Sequence, residues 1–349
     1  MLSQTINTRT QAAASGGNAS AATQTVLIIG ATGGIGGALA QAFLHNAWRV
    51  RALTRHADAQ QRARSDLTGV EWLLGDAMQV ADVVRAAQGV ECIVHAANPP
   101  GYLRWRELAL PMLASSIAAA RASSALLVLP GTIYNYGPDA GQWLAEDAPQ
   151  HPRTRKGQVR VEMEAMLQQA AAQGVRSVVV RAGDYFGWQG PSSWFQTLLI
   201  RPQRKVRTVW FPGEPEVGHA WAYLPDLAQT IVRLLAQQAS FADFETFHFA
   251  GHWTPRSIDM AEPIRRAVGN PRLPIRRLPW PLLKLAAPFV AVLREVLEMR
   301  YLWREPLRLD NRKLLQVLGD EPHTPLDEAV KTSLINLGCL SPSALVDRC

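Results

Sequence analysis

The stretch that most constrains this chain is Gly30 to Gly37, GATGGIGG, directly behind the apolar run TVLII and directly ahead of ALAQAFLHNA. Gly30, Gly33 and Gly36 fall at G-x-x-G-x-x-G spacing. A turn that passes from strand to helix in so few residues needs backbone angles and clearances that a Cβ would obstruct. The same clearance lets N–H groups at the helix start approach a pyrophosphate, where the helix dipole favours negative charge. The segment therefore predicts a strand, a phosphate-cradling turn and a helix. Gly30, Thr32, Gly33, Gly34, Ile35 and Gly36 form the cradle. A plain glycine-rich turn would read the same in isolation, so the weight falls on the residues after it.

Those residues alternate. WRVRALTR, VEWLL, ECIVHAA, ALLVLPG and RSVVVRAG are short, nearly continuous apolar runs. Between them lie helical stretches, among them AMQVADVVRAAQG, Arg104 to Ser124, and 156–173, which Gly174 stops. Strands that are apolar on both faces, separated by helices, indicate a parallel sheet covered on both sides. From about residue 190 the alternation breaks into short strands (KVRTVWF, ETFHFAG), helices and frequent Trp and Pro. The expected organisation is a disordered tail over 1–23, a nucleotide-binding domain over 24–190 that later strands and helices rejoin, and a substrate-binding region over 191–349. The tail assignment rests on the near absence of large apolar side chains there.

Composition excludes several classes. No run reaches the roughly 18–20 apolar residues of a membrane span. The nearest, Leu278 to Leu293, carries Lys284 and three prolines. Cys92, Cys339 and Cys349 are too scattered for a disulfide framework or a zinc site. No metal is expected, and a reducing cytoplasm fits. The net charge of +7 suits an anionic cofactor, an anionic surface or nucleic acid. No helix-turn-helix, RRM or zinc-finger pattern accompanies it, so nucleic acid is not expected.

With LLGDAMQ around Asp76, VHAAN at 94–98, LPGTIYNYG at 130–137, RAGDYFG at 181–187 and AWAYLPDLA at 220–228, the chain resembles the short-chain dehydrogenase/reductase superfamily. The likeness is to its extended or atypical branch, the NAD-dependent epimerase/dehydratase-like proteins, over roughly Thr25 to Leu337. It implies a doubly wound α/β Rossmann fold with a mostly parallel sheet and a small C-terminal α/β substrate region. It also implies that Asp76 holds the adenine edge with Ala77 alongside, and that Ala96, Ala97 and Asn98 run beside the ribose and phosphates. The alternative for Asp76 is a cap of the following helix. An acid at the end of the second strand would accept from the ribose 2′-OH and repel a 2′-phosphate. Here Thr54 and Arg55 stand there, with Arg51 on the same strand. A hydroxyl beside a guanidinium favours NADP over NAD.

Members of the superfamily place Ser or Thr after the fifth strand and Tyr-x-x-x-Lys on the next helix. Thr132 matches the first, although it could simply finish its strand. The helix RTRKGQVRVEMEAML contains no tyrosine and puts Lys156 and Arg160 at the two positions. Either Lys156 is the proton donor, with the like charge of Arg160 one turn away, or both cations hold anions and Tyr134 or Tyr185 supplies a phenol. Nucleotide-sugar enzymes of this branch carry an asparagine facing the diphosphate where this chain has Asp184. With Trp194 and Trp221 nearby, the residues point to an apolar pocket. His219 is polar lining or structural, and His95 is packed.

The resulting expectation is an NADP-dependent oxidoreductase or epimerase acting on a small, non-nucleotide, fairly apolar carbonyl or alcohol, with a homodimer allowed for. The alternative is a catalytically impaired NADP-binding sensor or regulatory protein. The segment LPWPLLKLAAPFVAVLREVL, flanked by Arg276, Arg277 and Arg294, reads as a covering or dimer helix, or as one that could lie on anionic lipid.

Overall fold

β1 (Thr25–Ile29) is buried along its whole length and divides its side chains between two cores. Val26 and Ile28 belong to a cluster with Leu39 and Phe43 of α1 (Gly34–His45). Leu27 and Ile29 belong to another, with Val83 of α2 (Val80–Ala86) and Leu113 of α3 (Trp105–Ser123). The period of two that sends alternate strand residues to opposite faces thus produces a sheet sandwiched between helices. The structure, a computed structural model, describes residues 23–56, 58, 64–99, 104–188 and 193–341. Nearly all of the expected tail therefore lies outside the described residues.

Six more strands join β1: β2 (Arg49–Thr54), β3 (Val70–Leu74), β4 (Cys92–His95), β5 (Leu126–Thr132), β7 (Ser177–Ala182) and β11 (Phe244–His248). Their order is β3-β2-β1-β4-β5-β7-β11, every neighbouring pair parallel. The chain runs outward from β1 to β3 and then returns to β4. This reversal between β1 and β4 is the switch point at which doubly wound sheets open a crevice beyond their carboxyl ends. β11 comes from the later half of the chain, as does α5 (Leu224–Leu235), which shares the first core with α1 and with Leu314 of α9 (Arg312–Leu318).

The remaining elements build a smaller layer over that carboxyl edge. β8 (Asp184–Phe186), β10 (His219–Tyr223) and β12 (His252–Thr254) form one sheet. Its core holds Phe186, Phe195 and Trp221 with Ile264 of α6 (Ala261–Ala267) and Val330 and Leu334 of α10 (Leu326–Asn336). The short β6 (Trp143–Leu144) pairs with β14 (Arg308–Leu309). Two expected elements are shorter than the residue pattern suggests. Within KVRTVWF only β9 (Val209–Phe211) is a strand, paired with β13 (Ile275–Arg277). The helix expected from residue 77 begins at Val80, because Asp76 closes a turn first: its Oδ1 accepts from Met78 N at 2.9 Å. Asp76 therefore does not cap that helix.

Candidate functional site

The glycine turn sits at the switch point. Gly30 has φ +99°, a backbone region that side chains disfavour, and a Cβ there would lie 2.6 Å from the backbone of Ala96 and Ala97 beyond β4. A Cβ on Gly36 would lie 2.1 Å from Gly30 O, so α1 begins pressed against the end of β1. Gly33 N donates back to Gly30 O at 3.0 Å. Side chains at Gly30 and Gly36 would strike the chain's own backbone, so only glycine lets α1 start this close to β1 with the N–H groups of its first turn at the switch point. Such a turn fits a dinucleotide.

On the outer side of the crevice, Thr54 ends β2 and its Oγ1 accepts from His56 N at 3.3 Å. Arg55 is exposed and has no ion pair among the described residues. Arg51 is committed elsewhere, donating to Glu71 at 3.2 Å and to Gln88 O at 2.7 Å. Arg64, which no local pattern in the sequence singles out, lies on the glycine turn. Its Nη1 donates to Thr32 O at 3.2 Å, and Asp66 grips the other side of the guanidinium at 2.9 and 3.0 Å.

Thr132, Tyr134, Lys156 and Arg160 gather at the carboxyl end of β5. Thr132 is buried, and its Oγ1 accepts from Tyr134 N at 3.3 Å. α4 (Arg155–Ala171) is capped by Thr154, whose Oγ1 accepts from Gly157 N at 3.0 Å. A Cβ on Gly157 would meet Tyr134 O at 2.3 Å, so glycine lets the first turn of α4 press on this segment. That brings Lys156 into the site, almost fully buried. Its Nζ and its backbone N both donate to Glu298, at 2.9 and 3.1 Å. Glu298 closes α8 (Ala291–Glu298), which begins 135 residues after Lys156. The like-charge picture of Lys156 and Arg160 is thus incomplete, because a carboxylate holds the ammonium. Arg160 instead lies over the Trp105 ring, 5.2 Å from its centroid, and its Nε has no partner among the described residues. Trp105 in turn donates to Asn98 Oδ1 at 2.5 Å. His95 is buried, and burial together with the Arg160 charge pushes its pKa down to about 3. Its Nδ1 meets Ser116 Oγ at 2.8 Å.

Beyond β7 the side chains close on each other. Asp184 is buried, with Oδ2 2.9 Å from His219 Nε2 and Oδ1 3.4 Å from Tyr134 Oη, which donates. His219 Nδ1 meets Leu302 O at 3.1 Å. That carbonyl only accepts, so Nδ1 is the donor in this contact. Trp194 Nε1 donates to Tyr134 Oη at 2.9 Å. Trp221 packs against Phe186, Phe195 and His219 in the core, only 1% exposed, so it is a packing residue and not an open pocket wall. Tyr185 Oη donates to Gly131 O at 2.7 Å.

A second buried network underlies the site. Arg181, at the end of β7, donates to Glu164 of α4 at 2.7 Å and to Tyr136 Oη at 2.7 Å, and Tyr136 Oη meets His248 Nε2 at 3.0 Å. His248 Nδ1 donates to Leu144 O at 2.9 Å, which makes Nε2 the acceptor. Burial first and then the Arg181 cation push the His248 pKa down to about 3.

A parallel doubly wound sheet with a glycine turn at its switch point defines a Rossmann protein built for a dinucleotide. The sequence model of the NAD dependent epimerase/dehydratase family matches residues 26–249, and the chain belongs to that family. No curated protein matches it in sequence. Among solved structures it is similar to a UDP-glucose 4-epimerase from Stenotrophomonas maltophila, solved with bound NAD and formylated UDP-arabinopyranose. That pair has 15% identity and a TM-score of 0.72, covering 90% of this chain and 98% of that one. It is also similar to UDP-glucose 4-epimerase from Bifidobacterium longum with NAD+ and UDP, at 15% identity and TM-score 0.70, covering 92% and 100%. The enzyme from Thermotoga maritima with UDP-glucose gives 16% and 0.71, covering 90% and 98%. Identities this low speak for the fold alone.

Proposed function

We propose that the chain is an NADP-dependent oxidoreductase or epimerase acting on a compact, fairly apolar carbonyl or alcohol rather than a nucleotide sugar. The observation that carries the reading is the buried Asp184–His219–Tyr134 cluster. At the position where the family's nucleotide-sugar enzymes carry an asparagine facing the diphosphate, this chain has a carboxylate with both oxygens already engaged. A diphosphate there would meet negative charge and no amide donor.

The dinucleotide would be held by Gly30, Thr32, Gly33, Gly34, Ile35 and Gly36 along the turn, by Asp76 and Ala77 at the adenine, and by Ala96, Ala97 and Asn98 beside ribose and phosphates. When bound, its nicotinamide supplies hydride transfer. Thr54 and Arg55 support the preference for a 2′-phosphate, since no acid stands at the end of β2. Thr132 would hydrogen-bond the substrate oxygen. Lys156 would exchange its proton, with Glu298 positioning the ammonium. A reducing cytoplasm suits Cys92 and Cys339, which are free and buried.

One observation favours a second reading, a cofactor-binding sensor without chemistry: Glu298 takes both the ammonium and the backbone N–H of Lys156. Lys156→Met separates the two. With NADPH titrated by fluorescence and a panel of apolar aldehydes and ketones as substrates, the variant should lose roughly 10²–10⁴ in turnover, the usual contribution of a general acid. NADPH affinity should hold. Lost NADPH binding would make Lys156 a cofactor clamp and return the proton to Tyr134. If the unaltered chain neither oxidises NADPH with any carbonyl nor inverts a chiral alcohol, the sensor reading stands.

A further inference from the structure

The face farthest from this chemistry in character is built from β9, β13 and α7 (Trp280–Ala286). Arg201, Arg204, Lys205 and Arg207 line a groove of about 600 Å³ together with Thr208 and Trp210. β13 lies beside it, with Arg276 paired in register to Trp210, and adds Arg276 and Arg277 to the exposed cations, as does Arg272 just before the strand. None of these seven forms an ion pair among the described residues, although most of the chain's other described arginines do or are spent on carbonyls. Like charges left unpaired at this density are repelled by one another, and an anionic partner relieves that repulsion.

The chain then passes from β13 straight into α7. Leu278 N donates to Phe211 O at 2.9 Å and Trp280 Nε1 to Pro212 O at 2.9 Å, which roots the helix on β9. No residue of α7 is buried. Leu282, Leu285, Phe289 and Val290 are 65%, 74%, 87% and 41% exposed. Leu282 and Leu285, three residues apart, share one side of α7, and Phe289 and Val290 stand just after its end at Ala286. Four of the eight exposed large apolar residues in the described structure fall in these nine positions. Arg294, which the sequence set beside the segment as a lipid-facing cation, donates instead to Ala287 O and Pro288 O and fastens the turn.

We propose that this face docks on an anionic membrane surface. Apolar side chains on a projecting helical turn, flanked by cations, are how interfacial segments sink to the acyl boundary while their cations meet lipid phosphates. Charge complementarity selects that occupant. A second copy of this chain, with its net +7, would set one basic groove against another. An acidic protein would satisfy the cations and leave the reason for the exposed leucines and Phe289 unanswered.

The test uses the purified full chain with sedimented vesicles of phosphatidylcholine alone and of phosphatidylcholine with phosphatidylserine. Binding should require the anionic lipid and weaken as salt rises. Leu285→Glu with Phe289→Glu, and separately Arg204→Glu with Lys205→Glu and Arg207→Glu, should each reduce partitioning by roughly tenfold or more. NADPH affinity and melting temperature should hold in both, which shows that the variants fold. Absence of binding to anionic vesicles at low salt would overturn the proposal. So would sedimentation equilibrium showing a dimer that the Leu285 and Phe289 substitutions dissolve, or polyglutamate binding that both variants retain.

Discussion

Replacing Glu164 by alanine strands one of the most deeply buried cations of the fold. Glu164 accepts from Arg181 Nε at 3.1 and 3.2 Å, from Arg181 Nη2 at 2.7 Å, and from Asn135 Nδ2 at 2.8 Å. The two side chains are 2% and 6% exposed, so water does not replace the lost carboxylate. Burial alone disfavours the Arg181 cation, and Glu164 and Tyr136 together more than offset it, holding the guanidinium above its ordinary pKa. Breaking a buried pair from one side costs about 3–5 kcal/mol, because the remaining charge is left uncompensated. Chemical denaturation of Glu164→Ala at neutral pH should show a loss of that size. Glu164→Leu combined with Arg181→Met should recover most of it, since the uncompensated charge is then gone. A single-variant cost below about 1 kcal/mol, the range of exposed pairs, would refute the reasoning. Equal losses in the single and double variants would refute it too. The consequence reaches the site, because Arg181 sits three residues before Asp184 and the network ties β7, β11, α4 and the segment just after β5 together.

Three further outcomes rest on the same geometry. Gly36→Ala places a Cβ 2.1 Å from Gly30 O, so α1 must retreat; stability should fall by about 1–3 kcal/mol and cofactor affinity by roughly tenfold, checked by denaturation and titration. Arg55→Asp should reverse an NADPH over NADH preference of roughly tenfold, read by fluorescence titration, and an unchanged ratio would remove Arg55 from the cofactor site. His95 and His248 fold with pKa values pushed down to about 3 from 6.5, so the unfolded chain binds more protons below pH 6.5. Each should then lower stability by about 1.4 kcal/mol per pH unit as pH falls from 6.5 toward 4, and denaturation midpoints that stay level across that window would contradict their burial as neutral rings.

The glycine turn, the strand and helix alternation and the parallel doubly wound sheet were legible in the residues, because each is decided by short-range rules. Alternating burial, backbone room at Gly30 and Gly36, and helix stops such as Gly174 act within a few positions of themselves. The ends of parallel strands then had to converge on one edge, and that topology carries Gly30, Thr54, Ala96 and Thr132 to it together. What the residues alone did not decide was which side chains meet across it. Glu298 reaches Lys156 from 142 positions away, and His219 reaches Asp184 across 35. Nothing local marks either pairing, since both depend on the path of the region after β7. Trp221 shows the same limit from the other side, because an aromatic near a pocket and an aromatic in a core look alike until the layer above it is in place. Arg276 comes beside Trp210 of the basic groove only when β13 pairs with β9, a pairing that no local pattern marks. Local physics sets the elements, and the packing of distant segments sets which charges are satisfied and which are left to face a partner.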